Sequence, residues 1–121
     1  MRHWLILGSN QQRARALRFA LSELRRHCGL LQYAPARRTG GRPAYLNAGL
    51  LIESDASPIE LRALLRTIES DAGRVRGGLL CRLDIDLVAS QDGEGALQVH
   101  KPGDLARDYV RALLGVLGLA I

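Results

Sequence analysis

The chain has 121 residues and only two cysteines, Cys28 and Cys81, neither of them in a Cys-x-x-Cys pair. A disulfide framework is thereby excluded, and both read as reduced, structural thiols. The three histidines, His3, His27 and His100, are scattered without metal-ligand spacing, which argues against a zinc site. No apolar run approaches a membrane span, and the opening Met1-Arg2-His3-Trp4-Leu5-Ile6-Leu7-Gly8 is too short for the apolar part of a signal peptide. The cytoplasm is the expected location, with no membrane partner. Lysine is nearly missing: Lys101 is the only one, so the net charge of +5 rests almost wholly on arginine. Arginine offers a planar fork that grips phosphate bidentately, and such an excess favours an anionic partner, nucleotide or nucleic acid. A solvated basic surface is the plainer alternative.

The length gives one domain, 1–121, large enough to bury roughly two-thirds of its unfolded surface. Along it, His3 to Leu7 reads as a short strand ended by Gly8-Ser9-Asn10. Leu17, Leu21, Leu24 and Cys28 recur at helical steps over about 11–28, and Gly29 stops that helix. Leu30 to Ala34 is a second strand, and Pro35 to Pro43 a loop rich in glycine, proline and arginine. Tyr45 to Glu53 is a third strand, with Leu46, Ala48, Leu50 and Ile52 on one face and Tyr45, Asn47, Gly49 and Leu51 on the other. Ser57-Pro58-Ile59-Glu60 supplies a capping box for a helix that ends at Gly73. A strand over 81–89, an edge strand over 96–99 and a helix over about 105–117, N-capped by Asp104, complete the chain.

The order β-α-β-β-α-β followed by a hairpin strand and a helix predicts an α+β, ferredoxin-like fold: an antiparallel sheet with both main helices on one face. Strand 81–89 places Leu83, Ile85 and Leu87 toward the helices and Arg82, Asp84 and Asp86 on the open face, beside Tyr45 and Asn47. Carboxylates two apart on a strand stand roughly 6 to 7 Å apart and repel unless a cation sits between them. Mg²⁺ that also holds phosphates is one occupant. Salt-bridging to arginines is the other reading.

In this order the motifs resemble the hydroxymethyldihydropterin pyrophosphokinase family. They are Leu7-Gly8-Ser9-Asn10, Pro43-Ala44-Tyr45-Leu46-Asn47-Ala48, Ile68-Glu69, Gly73-Arg74-Val75-Arg76 and Leu83-Asp84-Ile85-Asp86-Leu87, then His100, Arg107 and Tyr109. The resemblance implies transfer of diphosphate from ATP to 6-hydroxymethyl-7,8-dihydropterin, giving AMP in folate biosynthesis. It implies two Mg²⁺ ions on Asp84 and Asp86, Tyr45, Asn47 and Tyr109 on the pterin, and Arg74 in catalysis. Arg74, Arg76, Arg107 and His100 would hold phosphates, and Glu69 would lie near the nucleotide. Arg82, one step nearer the carboxylates, is a further candidate for cofactor binding.

Four departures mark the chain within that resemblance. Cys81 stands at the family's usual arginine position, with Arg82 one step nearer the carboxylates. The segment between Arg76 and Leu80 is short and lacks the tryptophan and extra basic residues of the closing loop. The Thr-Pro element is missing around Tyr33-Ala34-Pro35-Ala36, and the C-terminal portion is abbreviated. These losses raise a second reading, a catalytically impaired paralogue that binds pterin or nucleotide as a regulatory module. A third reading, an RNA-recognition module, shares the element order. It is disfavoured by the two carboxylates where such modules carry aromatics.

Overall fold

Leu5 and Leu7 point to one side of a five-stranded sheet and Trp4 and Ile6 to the other, and all four are buried. The structure, a computed structural model, describes residues 1–119, so the last two residues of the expected domain lie outside the described residues. The elements are β1 (Arg2–Ser9), α1 (Arg13–His27), β2 (Gly29–Thr39), β3 (Tyr45–Glu53), α2 (Pro58–Asp71), β4 (Asp84–Gln91), β5 (Leu97–Val99) and α3 (Asp108–Val116). The strands run in the order β2-β3-β1-β4-β5, every neighbouring pair antiparallel. This is the expected α+β arrangement.

On the first face, alternate residues of β1, β3 and β4 pack under α1 and α2. Leu5, Leu50, Ile52, Ile85 and Leu87 meet Leu17, Ala20 and Leu24 of α1 and Leu61, Leu65 and Ile68 of α2. The capping box is present: Glu60 N donates to Ser57 Oγ and Ser57 N donates to Glu60 Oε1. Gly73, at φ +94°, ends the helix in a conformation that favours glycine.

The second face is not open along its whole length. Val110, Leu113 and Leu114 of α3, with Leu117 beyond it, cover Trp4, Ile6, Leu51 and Val88. Trp4 Nε1 donates to the Leu117 carbonyl at 3.2 Å, tying the end of α3 to the central strand. Gly49 makes this close approach possible, because a Cβ there would stand 3.0 Å from Leu117 Cδ1 and 3.2 Å from Ala34 Cβ. A bulge in β4 assists: Leu5 pairs with Leu87 but Trp4 with Ala89, so the extra residue lets Val88 and Ala89 both join the α3 side. The other half of this face stays uncovered and holds the site.

Several boundaries differ from the sequence expectation. β2 runs on to Thr39, with register shifts at Leu30/Gln32 and Ala34/Arg37 that accommodate Pro35 on an edge strand. β4 begins at Asp84 rather than Cys81, because β1 has ended at Ser9 and Asn10 takes over. Asn10 N donates to the Cys81 carbonyl, Cys81 N donates to Asn10 Oδ1, and Asn10 Nδ2 donates to the Leu79 carbonyl. The last helix is split: 102–106 is a single 3₁₀ segment, Arg107 is extended at φ −88°, ψ 127°, and α3 starts at Asp108. Asp104 caps neither piece with its side chain. Among the described residues no helix is long and apolar enough to cross a membrane.

Candidate active site

The register of three strands sets the site. Gly8 in β1 pairs with Asn47 in β3 on one side and Asp84 in β4 on the other, and Ile6 pairs with Asp86. An amide and two carboxylates thus share one face, with a glycine between them. A Cβ at Gly8 would lie 2.7 Å from Asn47 Oδ1 and 3.6 Å from Tyr45 Cδ1, so the first residue of Gly-Ser-Asn makes room for the amide. Asn47 Nδ2 donates to Thr39 Oγ1, which fixes the buried amide and directs its oxygen toward Gly8.

Two pockets meet at the carboxylates. The first, about 430 Å³, is lined by Gly8, Thr39, Tyr45, Asn47, Arg107 and Tyr109 together with Asp84 and Asp86. Arg107 Nη1 donates to the Tyr109 hydroxyl at 3.2 Å across its mouth. Beyond the carboxylates, its walls carry one amide and two aromatic rings. The second, about 270 Å³, lies against α2 and is lined by Arg62, Arg66, Glu69, Arg74, Arg76 and Lys101, again with Asp84 and Asp86. It exists because β5 pairs only with Ala89–Gln91 and leaves the first half of the β4 edge without a strand. A larger, shallower hollow at the start of α1, about 590 Å³, is lined by none of these residues and holds no acid.

Glu69 organises the second pocket. It is buried, and its carboxylate accepts from Arg74 Nη1 at 2.9 Å, Arg76 Nη2 at 3.0 Å and the free edge amide of Ile85 at 2.8 Å. Its oxygens are thus engaged by protein donors, and it holds the two arginines in place at the pocket wall. Arg74 also donates to Asp84 Oδ1 at 2.9 Å, and Lys101 Nζ donates to Asp86 Oδ1. Burial pushes the Asp86 carboxyl above its ordinary range, the Asp84 carboxylate adds to this, and Lys101 opposes it. Two carboxylates on one face, each already touching a cation, make a site with a demand for positive charge.

Of the residues expected from sequence, Asp84, Asp86, Arg74, Arg76, Glu69, Tyr45, Asn47, Arg107 and Tyr109 are brought together around these pockets. Arg82 and His100 are not. Residue 82 lies before the β4 ladder, so strand alternation does not govern it. Arg82 Nε donates to Gln11 Oε1 at 3.3 Å and its guanidinium lies against Gly73, away from the carboxylate face. His100 turns to the first face, where its Nε2 shares a hydrogen bond with Ser90 Oγ at 2.9 Å. The same hydroxyl meets buried His3 Nδ1 at 2.7 Å, so the fold gathers two of the scattered histidines around a serine.

Sequence reasoning passed over Arg62, Arg66 and Lys101. The two arginines stand four apart on α2, off its apolar stripe, and that spacing was the available signal. Cys81 lies beside Tyr45, Arg74 and Asp84, and burial raises its thiol above the ordinary value.

Residues 4–117 match the family model described as 7,8-dihydro-6-hydroxymethylpterin-pyrophosphokinase, and the chain belongs to that family. No curated protein matches it.

Proposed function

We propose that the chain transfers the terminal diphosphate of ATP to the hydroxymethyl oxygen of 6-hydroxymethyl-7,8-dihydropterin, releasing AMP. Family membership supports a pterin pyrophosphokinase of folate biosynthesis. The observation that carries the residue-level reading is that Asp84 and Asp86 form the shared wall of two pockets of opposite character. A flat heterocycle and a polyphosphate would meet there.

In the first pocket Asn47 presents its amide oxygen to the pterin edge, and Tyr45 and Tyr109 offer ring faces. In the second, Arg74 and Arg76, held by Glu69, take the phosphates, and Arg62 and Arg66 extend the same cationic wall. Arg107, in the wall of the first pocket beside Asp84 and Asp86, would meet the phosphate that crosses to the pterin. A bond forms from the pterin oxygen to the β-phosphorus, and the bond from that phosphorus to the α-phosphate oxygen breaks. AMP leaves with that oxygen, and the hydroxyl proton is released to solvent.

Asp84 and Asp86 would hold Mg²⁺. Among the described residues no third His, Cys, Asp or Glu joins them. Two carboxylates suit an ion that takes its remaining ligands from phosphate and water. When bound, Mg²⁺ supplies charge neutralisation at the diphosphate and alignment of the attacking and leaving oxygens. The proposed setting is the cytoplasm, where Cys28 and Cys81 stay reduced.

The second reading, binding without turnover, draws on Cys81 at the usual arginine position and on the exposed apolar Leu79 and Leu80 in the short segment before it. The first reading demands two separable ligand sites, and the second at least one of them. Calorimetric titration with the pterin and with α,β-methylene ATP plus Mg²⁺ tests this. Asn47→Ala should abolish only the pterin isotherm and Arg76→Ala weaken only the nucleotide isotherm. Loss of both isotherms in either folded variant contradicts the two-pocket reading.

A further inference from the structure

The chain has sixteen arginines and one lysine, and among the described residues it is that lysine which forms the ion pair with Asp86. From this contact we infer that Lys101 is a positioning residue: a tethered cation that holds Asp86 while the site lacks metal and yields it when the metal–nucleotide arrives. The inference rests on the reading of Asp84 and Asp86 as metal ligands.

The two carboxylates are neutralised in different ways. Arg74 is fixed twice, on Glu69 Oε2 and on Asp84 Oδ1, both at 2.9 Å, and its side chain is 19% exposed. Lys101 is held by Asp86 alone among the described residues, and its side chain is 45% exposed. A guanidinium clamped by two acids stays where it is. An ammonium on a four-carbon stem with a single partner can rotate away at little cost, and it lacks the bidentate fork that would make an arginine hard to displace. Lys101 also follows the end of β5 at the mouth of the second pocket, so its ammonium can turn from Asp86 to the phosphates of a nucleotide in the same space.

Two consequences follow from one side chain. A divalent cation alone must compete with Lys101 for Asp86. A cation arriving with ATP does not, because the phosphates take up the displaced ammonium. Lys101 thereby couples metal binding to nucleotide binding.

Mn²⁺ binding to the free protein, followed by electron paramagnetic resonance of the unbound ion, reads this directly and needs no turnover. Lys101→Met should bind Mn²⁺ without nucleotide roughly fivefold tighter than the unmodified chain, the scale of losing one partly exposed ion-pair competitor. It should bind α,β-methylene ATP with Mg²⁺ more weakly, and Lys101→Arg should not gain the Mn²⁺ affinity. Equal or weaker Mn²⁺ binding by folded Lys101→Met overturns the inference. Asp86→Asn separates the two levels: if it binds Mn²⁺ with the nucleotide analogue as well as the unmodified chain does, the metal reading fails and takes the inference with it.

Discussion

Gly8 and Asn47 are register partners on adjacent strands, and the site depends on the side chain that Gly8 does not have. The first pocket's amide occupies the space where a Cβ would stand, 2.7 Å from Asn47 Oδ1. Because Asn47 is buried and tied to Thr39, it cannot move aside freely. Gly8→Ala should therefore leave the fold intact and raise the KM for pterin by about tenfold or more, the scale of a displaced recognition hydrogen bond. The nucleotide KM should be unchanged. Steady-state kinetics with each substrate varied in turn checks this.

How much of this was legible in the sequence varies by residue. The faces of β3 and β4 follow from alternation alone, since a period of two leaves Asn47, Asp84 and Asp86 no other side once Leu50 and Ile85 are buried. α2 was announced by its capping box. Arg82 was misread because alternation was carried back past Asp84, where the ladder begins and where Asn10 holds the backbone instead. The covering of the second face by α3 was hidden for another reason. An amphipathic helix states that it needs a partner, and only Gly49, with room for Leu117 and Leu113, says which part of the sheet that is. Lys101 was invisible because its meaning lies in its contact with Asp86, fifteen residues away.

Glu69 anchors two arginines and one edge amide from a buried position, so removing its charge strands cations at the pocket wall. Glu69→Ala should cost about 3 kcal/mol, in the range for breaking a buried ion pair from one side. It should also raise the nucleotide KM, because Arg74 and Arg76 lose their orientation. Urea unfolding and nucleotide titration measure the two effects separately.

Asn10 closes the segment before β4 with two side-chain hydrogen bonds, to the Leu79 carbonyl and from the Cys81 amide. Asn10→Ala should destabilise the chain by about 2 kcal/mol. The freed segment should also expose Cys81. Its thiol, raised by burial, should alkylate slowly at pH 7.5 in a Cys28→Ser background and markedly faster when Asn10→Ala is added. Iodoacetamide labelling followed by mass spectrometry reads the rate.

The Ser90 hydroxyl lies between His3 and His100, and both imidazoles are lowered from the ordinary 6.5, by burial first. The nearby N-terminal charge adds to this for His3, and Arg62 for His100. The unfolded chain takes up protons near pH 6.5 that the folded chain resists. Stability is therefore fully present above that pH and is lost as pH falls through the lowered folded values. Melting temperatures between pH 5 and 8 should show that decline. Ser90→Ala, which leaves two ring nitrogens without a partner, should lower stability by about 1 to 3 kcal/mol at pH 7.

The central claim is that Asp84 and Asp86 bring a pterin and a nucleotide together for diphosphate transfer. Its most direct measurement is AMP formation from ATP, Mg²⁺ and 6-hydroxymethyl-7,8-dihydropterin, followed by ³¹P NMR. AMP should appear in step with a pterin diphosphate, only when the pterin is present, and fall by about a thousandfold or more in Asp84→Ala. ADP in place of AMP, nucleotide consumption without pterin, or undiminished turnover in Asp84→Ala would contradict it.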